Sequence, residues 1–271
     1  LWDYKQAGIL DPNTNNDEYL LSQLFRLSTI QKEKIIIDQK DDEYFPNKNQ
    51  SNSKSFIEGK SQNIKNLELI LEVEKFSNTF NDITSLENGL VEFKKFHSLK
   101  GSNKFLLGSG NRNSKILFVS EPPSYEEELQ QKPYVDEASK LFEKIIEAMG
   151  LIPLNKSNCN IFVIPAVPFR IVKTSDDKVS DLELIKPFLK RYIDIISPQY
   201  MIFVSKMPAN ILGLNDFIRF DNKEGYLGDY RGIPTIEIES IKSMINNPEQ
   251  KRKTWNSLKL IIQLMQNENK K

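Results

Sequence analysis

Four short apolar runs, ILFVS (116–120), NIFVIP (160–165), YMIFVS (200–205) and IPTIEI (233–238), recur down the second half of the chain with amphipathic segments between them. Runs this short and this continuously apolar fit strands that are buried on both faces. Between the first two, DEASKLFEKIIEAMG sets Ala138, Leu141, Phe142, Ile145, Ile146 and Met149 at helical spacing and stops at Gly150. Between the second and third, DLELIKPFLKRYIDII sets Leu182, Ile185, Phe188, Leu189, Tyr192 and Ile196 on one face. MPANILG reads as a short helix and NPEQKRKTWNSLKLIIQLM as a closing one. Strands alternating with one-sided helices predict a three-layer α/β/α domain around a central, mostly parallel sheet. Ligands in such sheets sit beyond the carboxyl ends of the strands, so the loop SEPPSYEEE (120–128) is where a site is expected.

Upstream the text is different. DEYLLSQLFRLSTI carries a helical stripe at Leu20, Leu21, Leu24, Phe25 and Leu27. Residues 40–66, rich in Asn, Ser, Lys and Gln, are too poor in aliphatics to offset chain entropy and read as a flexible linker. TSLENGLVEFKKF then reads as a helix opened by Ser85. The expected organisation is a helical N-terminal extension over 1–80, docking a protein partner, and the α/β domain over 81–271.

Composition narrows the function. Cys159 is the single cysteine and His97 the single histidine. An internal disulfide is excluded, a zinc or iron–sulfur site lacks ligands, and neither a cofactor nor a metal is expected. No apolar run approaches the roughly 20 residues that span a bilayer, and LWDYKQAGIL lacks the pattern of a secretory signal, so the expectation is a monomeric cytoplasmic protein without a membrane partner. The 37 basic and 37 acidic side chains cancel, but 10 basic and 15 acidic fall in residues 1–90, leaving 27 and 22 beyond. The later part is the better partner for a polyanion.

The order and spacing from about residue 90 to 265 resemble the uracil-DNA glycosylase superfamily, closest to its family-4 type. The first motif of that type, G-E-A-P-G followed by G-x-P-F-V-G, stands here as Ser120-Glu121-Pro122-Pro123-Ser124 and Lys132-Pro133-Tyr134-Val135-Asp136. The flanking GSGNRNSKILFVSE, LIKPFLKRYIDIISPQYMIFVSKMPANILG and NPEQKRKTWNSL are similar to family text at matching intervals. The resemblance implies a DNA partner, a base swung out of the stack, and hydrolysis of its N-glycosidic bond. It implies Glu121 as the carboxylate that orients water and steadies an oxocarbenium-like transition state. It implies Tyr134 as an aromatic stacking on the base, with Pro122 beside it.

Departures are equally specific. The family's base-reading Asn falls at Pro165, which has no side-chain amide, and its catalytic His falls at Ser240, which can donate one uncharged hydrogen bond. The loop glycines are Ser120, Ser124 and Asp136, and VPFR (167–170) occupies one cluster-ligand region without a thiol. SIKSMINNPEQKRK aligns with the family's duplex-probing loop, which puts Met244 and Ile245 at the wedge and Lys242, Lys251, Arg252 and Lys253 near phosphates, with Arg170 and Arg231 added to the groove. The plain alternative makes Met244 and Ile245 core residues and KRK an ordinary helix face. EEE at 126–128 reads as an exposed face, His97 as a surface residue and Cys159 as an inert thiol. Three functions stay open: a divergent glycosylase, a catalytically silent DNA-binding relative, and a small-nucleotide-binding α/β protein. The third has no G-x-G-x-x-G or P-loop lysine motif, and GSGNR (108–112) lies before the strand, on the wrong side for a phosphate cradle.

Overall fold

The structure is a computed structural model that describes residues 67–93, 104–171, 181–214 and 226–268. The chain divides into two compact units, 1–68 and 69–271, and nearly all described residues lie in the second. The N-terminal stripe, the linker and His97 lie outside the described residues. Residues 69–80, expected in the extension, fall in the second unit, and Val73 is fully buried in its core.

Helices α1 (67–78) and α2 (Ile83–Glu92) lead into β1 (Ser109–Gly110) and β2 (Ile116–Ser120). Then come α3 (Tyr125–Gln130), α4 (Asp136–Ala148), β3 (Phe162–Pro165), α5 (Asp181–Ile196), β4 (Tyr200–Val204) and α6 (Met207–Leu212). The hairpin β5 (Tyr226–Tyr230) and β6 (Ile233–Ile238), the short α7 (Ile241–Met244) and α8 (Pro248–Glu268) complete the fold. The sheet runs β1-β3-β2-β4-β6-β5. Its four inner strands are parallel, and β1 and β5 pair antiparallel at the edges.

Every residue of β2 and β4 is buried because strands flank them on both sides and helices cover both faces. Alternation divides their side chains between two cores. Leu117, Val119, Met201 and Phe203 pack with α2, α5 and α6. Ile116, Phe118, Ile202 and Val204 pack with α4, α7 and α8, and Phe118 meets Phe142 edge-on at 5.3 Å. This is the expected three-layer α/β/α architecture with a mostly parallel central sheet.

Local chemistry sets the boundaries. Helix α4 ends where expected: Gly150 turns at φ 75° while its N–H and that of Leu151 bond back to Glu147 and Ile146. The start of α2 differs from expectation, because Asp82 is the cap: its carboxylate accepts the Ser85 N–H at 2.9 Å and the Ser85 hydroxyl at 2.7 Å. On α2 the buried Glu87 accepts from Gly108 N at 3.2 Å, from the Tyr192 hydroxyl at 2.6 Å and from Arg112. The glycines of GSGN serve packing. A Cβ on Gly108 would lie 2.3 Å from the Phe162 ring, and one on Gly110 would lie 2.5 Å from the Ile161 carbonyl.

Candidate active site

The parallel strands β2, β3, β4 and β6 end at one edge of the sheet. Consecutive β2, β3 and β4 place β3 on one side of β2 and β4 on the other, so the strand order reverses at β2, the switch point beyond which such sheets place their sites. Glu121 is the first residue past β2, and Ser240 lies two residues past β6. Although β4 separates those strands, their loops meet: the Ser240 hydroxyl donates to Glu121 Oε2 at 2.6 Å, across 119 residues of chain. That length is typical of a charge-assisted O–H···O bond. The Ser240 carbonyl accepts Met244 N at 3.0 Å and the Ser243 hydroxyl at 2.8 Å, fixing it at the head of α7. Glu239 N–H donates to Thr254 Oγ1 at 3.1 Å, tying the same loop to α8.

A second bridge joins the two loops. The Glu127 side chain is 5% exposed, and its Oε2 accepts from Lys242 Nζ at 2.8 Å and from Ser124 N at 2.7 Å. Its Oε1 accepts from Tyr134 N at 3.1 Å. Ser124 Oγ accepts Glu127 N–H in return, closing a capping box at the start of α3. The expectation of an exposed EEE face is therefore corrected. Only Glu126 of the three is exposed, while Glu128 is buried and pairs with Arg170 at 3.5 Å. Glu127 was missed in the sequence, and Ser124-x-x-Glu127 is the signal that identifies it.

Tyr134 lies in the core beneath these loops. Its backbone is left-handed at φ 55°, and its ring, 7% exposed, rests on Phe142 with centroids 4.6 Å apart. The ring is packed in the protein instead of being presented as an open stacking face. The phenolic oxygen is buried, and the Ser120 hydroxyl at the end of β2 is the polar group beside it. Burial first, then Glu121 and Glu127, push the phenol well above its ordinary pKa, and the Ser120 hydroxyl opposes them. Pro122 is half-buried beside Glu121. Pro165 pairs in register with Ser120, and it lines an apolar crevice with Leu106, Phe188 and Tyr192 whose volume of about 10 Å³ is too small for a base.

The basic residues divide. Lys251 and Arg252 are exposed at the start of α8, and Lys251 Nζ donates to the Ile245 carbonyl at 3.0 Å. Lys242 and Arg170 reach acidic partners on α3, and Arg170 also lies 5.8 Å from the Tyr125 ring centroid. Met244 is 1% exposed and packs in the core, so of the two wedge residues only the half-buried Ile245 reaches the surface. Arg231 sits in the β5–β6 turn, at the end of the sheet opposite Glu121, and pairs with Asp194 at 2.6 Å. It does not belong to this groove.

A thiolate-held iron–sulfur cluster does not fit the residues here. The chain has one cysteine, half-buried Cys159, and the VPFR region is closed by Phe169 at 3% exposure. Among the described residues no three His, Cys, Asp or Glu side chains could together hold a metal ion. Among them, too, no helix is long and apolar enough to cross a membrane.

The model of the uracil DNA glycosylase superfamily matches residues 107–259. Among curated proteins, the type-4 uracil-DNA glycosylase of Saccharolobus solfataricus is 29% identical over 126 residues, covering 46% of this chain and 54% of that protein. The Sulfurisphaera tokodaii protein of the same description is 25% identical over 125 residues (46% and 54%), and that of Archaeoglobus fulgidus 23% over 123 residues (45% and 59%). The chain thus spans about half the length of the curated relatives it matches.

Proposed function

Because the chain belongs to the uracil DNA glycosylase superfamily, we propose that it excises a damaged base from DNA by hydrolysing the N-glycosidic bond of an extruded nucleotide. The observation that carries this reading is the 2.6 Å bond between Ser240 and Glu121, which joins two motif positions from separate loops at the strand ends. Water attacks C1′ as the C1′–N bond breaks, and positive charge develops on the sugar. Glu121 faces that charge and orients the water. Ser240 acts through Glu121 as a positioning residue, holding one carboxylate oxygen and leaving Oε1 for the water. Lys251, Arg252 and Ile245 contact the DNA next to the cleft, and Lys242 and Arg170 neutralise the acidic loop that borders it. The N-terminal extension, expected over residues 1–80, is the proposed site for a protein partner.

The test is excision from single- and double-stranded DNA carrying uracil, hypoxanthine or xanthine, followed by alkaline cleavage of abasic sites. Abasic sites with the natural protein and none with Glu121→Ala are expected. Activity that survives Glu121→Ala would reject the assignment. One observation favours a second reading, a silent DNA-binding relative: Pro165 offers the base no side-chain amide. In that case no lesion is cut while salt-dependent DNA binding persists.

A further inference from the structure

We infer that the exposed face of α8 is a second DNA subsite, which binds an unpaired strand beside the lesion and stacks one of its bases on Trp255. The inference rests on reading the chain as a DNA-acting protein and adds the form of DNA it takes. Thr254, Ser257, Leu258 and Ile261 turn one side of α8 to the core. Arg252, Trp255, Asn256, Lys259 and Gln263 recur at helical spacing on the opposite side, and all five are exposed. From Gln250 to Asn267 the helix has no acidic residue, while Lys251, Arg252, Lys253 and Lys259 are basic. A stripe of one charge sign attracts a phosphate backbone.

Trp255 gives that stripe its selectivity. The indole is 39% exposed and lies between Arg252 and Lys259 on the solvent side of the helix. Its place is tied to the strand-end site. The preceding residue, Thr254, accepts Glu239 N–H at 3.1 Å, and Glu239 leads into Ser240, whose hydroxyl holds Glu121. At about 1.5 Å of rise per residue, Arg252 to Lys259 spans about 10 Å, the reach of about three phosphates along one strand. Inside a duplex each base has both faces covered by its neighbours, so an indole at the outside meets only phosphates and groove edges. An unpaired base leaves a face open, and an aromatic ring stacks on it whatever the base. Charge alone serves either form of DNA, so the indole is what selects the single strand.

The experiment titrates the full chain carrying Trp2→Phe, which leaves Trp255 as the single tryptophan, with undamaged oligothymidine and with an undamaged blunt duplex. Oligothymidine should quench the Trp255 emission, and the duplex should not. Trp255→Ala should weaken oligothymidine binding by about five-fold or more and leave duplex affinity within about two-fold, whereas Lys259→Ala should weaken both. Trp255→Phe keeps an aromatic face and should recover most of the loss. An oligothymidine affinity that is unchanged in Trp255→Ala, or that falls together with duplex affinity, overturns the inference, and so does equal quenching by the duplex. Because no lesion is present, a chain that cuts nothing can still pass. A chain that excises a lesion yet keeps its oligothymidine affinity in Trp255→Ala rejects this subsite alone, and one that binds neither form of DNA rejects the subsite and the base-excision reading together.

Discussion

Replacing Glu127 by Ala tests how the two loops are held together. The substitution removes the acceptor of three donors at once. The Tyr134 N–H is buried, and leaving it unpaired costs about 1–3 kcal/mol. Losing the carboxylate bond to Ser124 N adds about 0.5–1.5 kcal/mol, while Ser124 Oγ still accepts the N–H of residue 127. The Lys242 side chain is 41% exposed and returns to water, so its lost ion pair adds no more than about 1 kcal/mol. The expected loss is about 1.5–5.5 kcal/mol, or a Tm lower by roughly 3–20 °C for a domain of this size. Urea unfolding at pH 7 measures it, with Glu126→Ala as the exposed control, expected within about 0.5 kcal/mol of the natural protein. Lys242→Ala should cost at most about 1 kcal/mol. A Glu127→Ala protein as stable as Glu126→Ala would refute the reasoning, because the three bonds could not then be made in solution.

Three other outcomes are expected. Ser240→Ala should slow excision by about ten-fold or more while costing no more than about 3 kcal/mol of stability, since it frees the Glu121 carboxylate, and single-turnover rates on uracil-containing DNA check this. Replacing Lys251 and Arg252 by Ala should flatten the dependence of log Kd on log salt by about two phosphate contacts, and an unchanged slope would remove both from the footprint. The Ser85 hydroxyl and N–H hold the Asp82 carboxyl below its ordinary pKa of 3.8, so its contribution is fully present above that value and lost as pH falls through the lower folded value. Asp82→Ala should therefore destabilise at pH 7, with a difference that shrinks in acid unfolding below pH 3.8.

The inner strands were legible because burial on both faces demands unbroken apolar runs, as in ILFVS and YMIFV. The edges were not. β1 is only Ser109–Gly110, and β5 carries Gly228 at a break in register, so neither has the periodicity that marks a strand. Motif order located Glu121 and Ser240, but their contact spans the end of β4 and depends on tertiary topology. Three consecutive glutamates look alike in a sequence, and only the serine three residues before Glu127 separates it from Glu126. Met244 shows the reverse case. A one-turn helix leaves too few positions to reveal which face is apolar, and the plain core reading describes that side chain in the structure.

The triple acceptance at Glu87 limits how far the protein can be shortened. A version beginning at residue 107, where the superfamily match starts, would discard Glu87 together with Val73, Leu86 and Leu90. The phenol of Tyr192, the amide of Gly108 and the guanidinium of Arg112 would each lose their acceptor, and α5 would show bare hydrocarbon to water. The smallest autonomous folding piece therefore starts well before the superfamily match does, and a trimmed version should precipitate before it could be assayed.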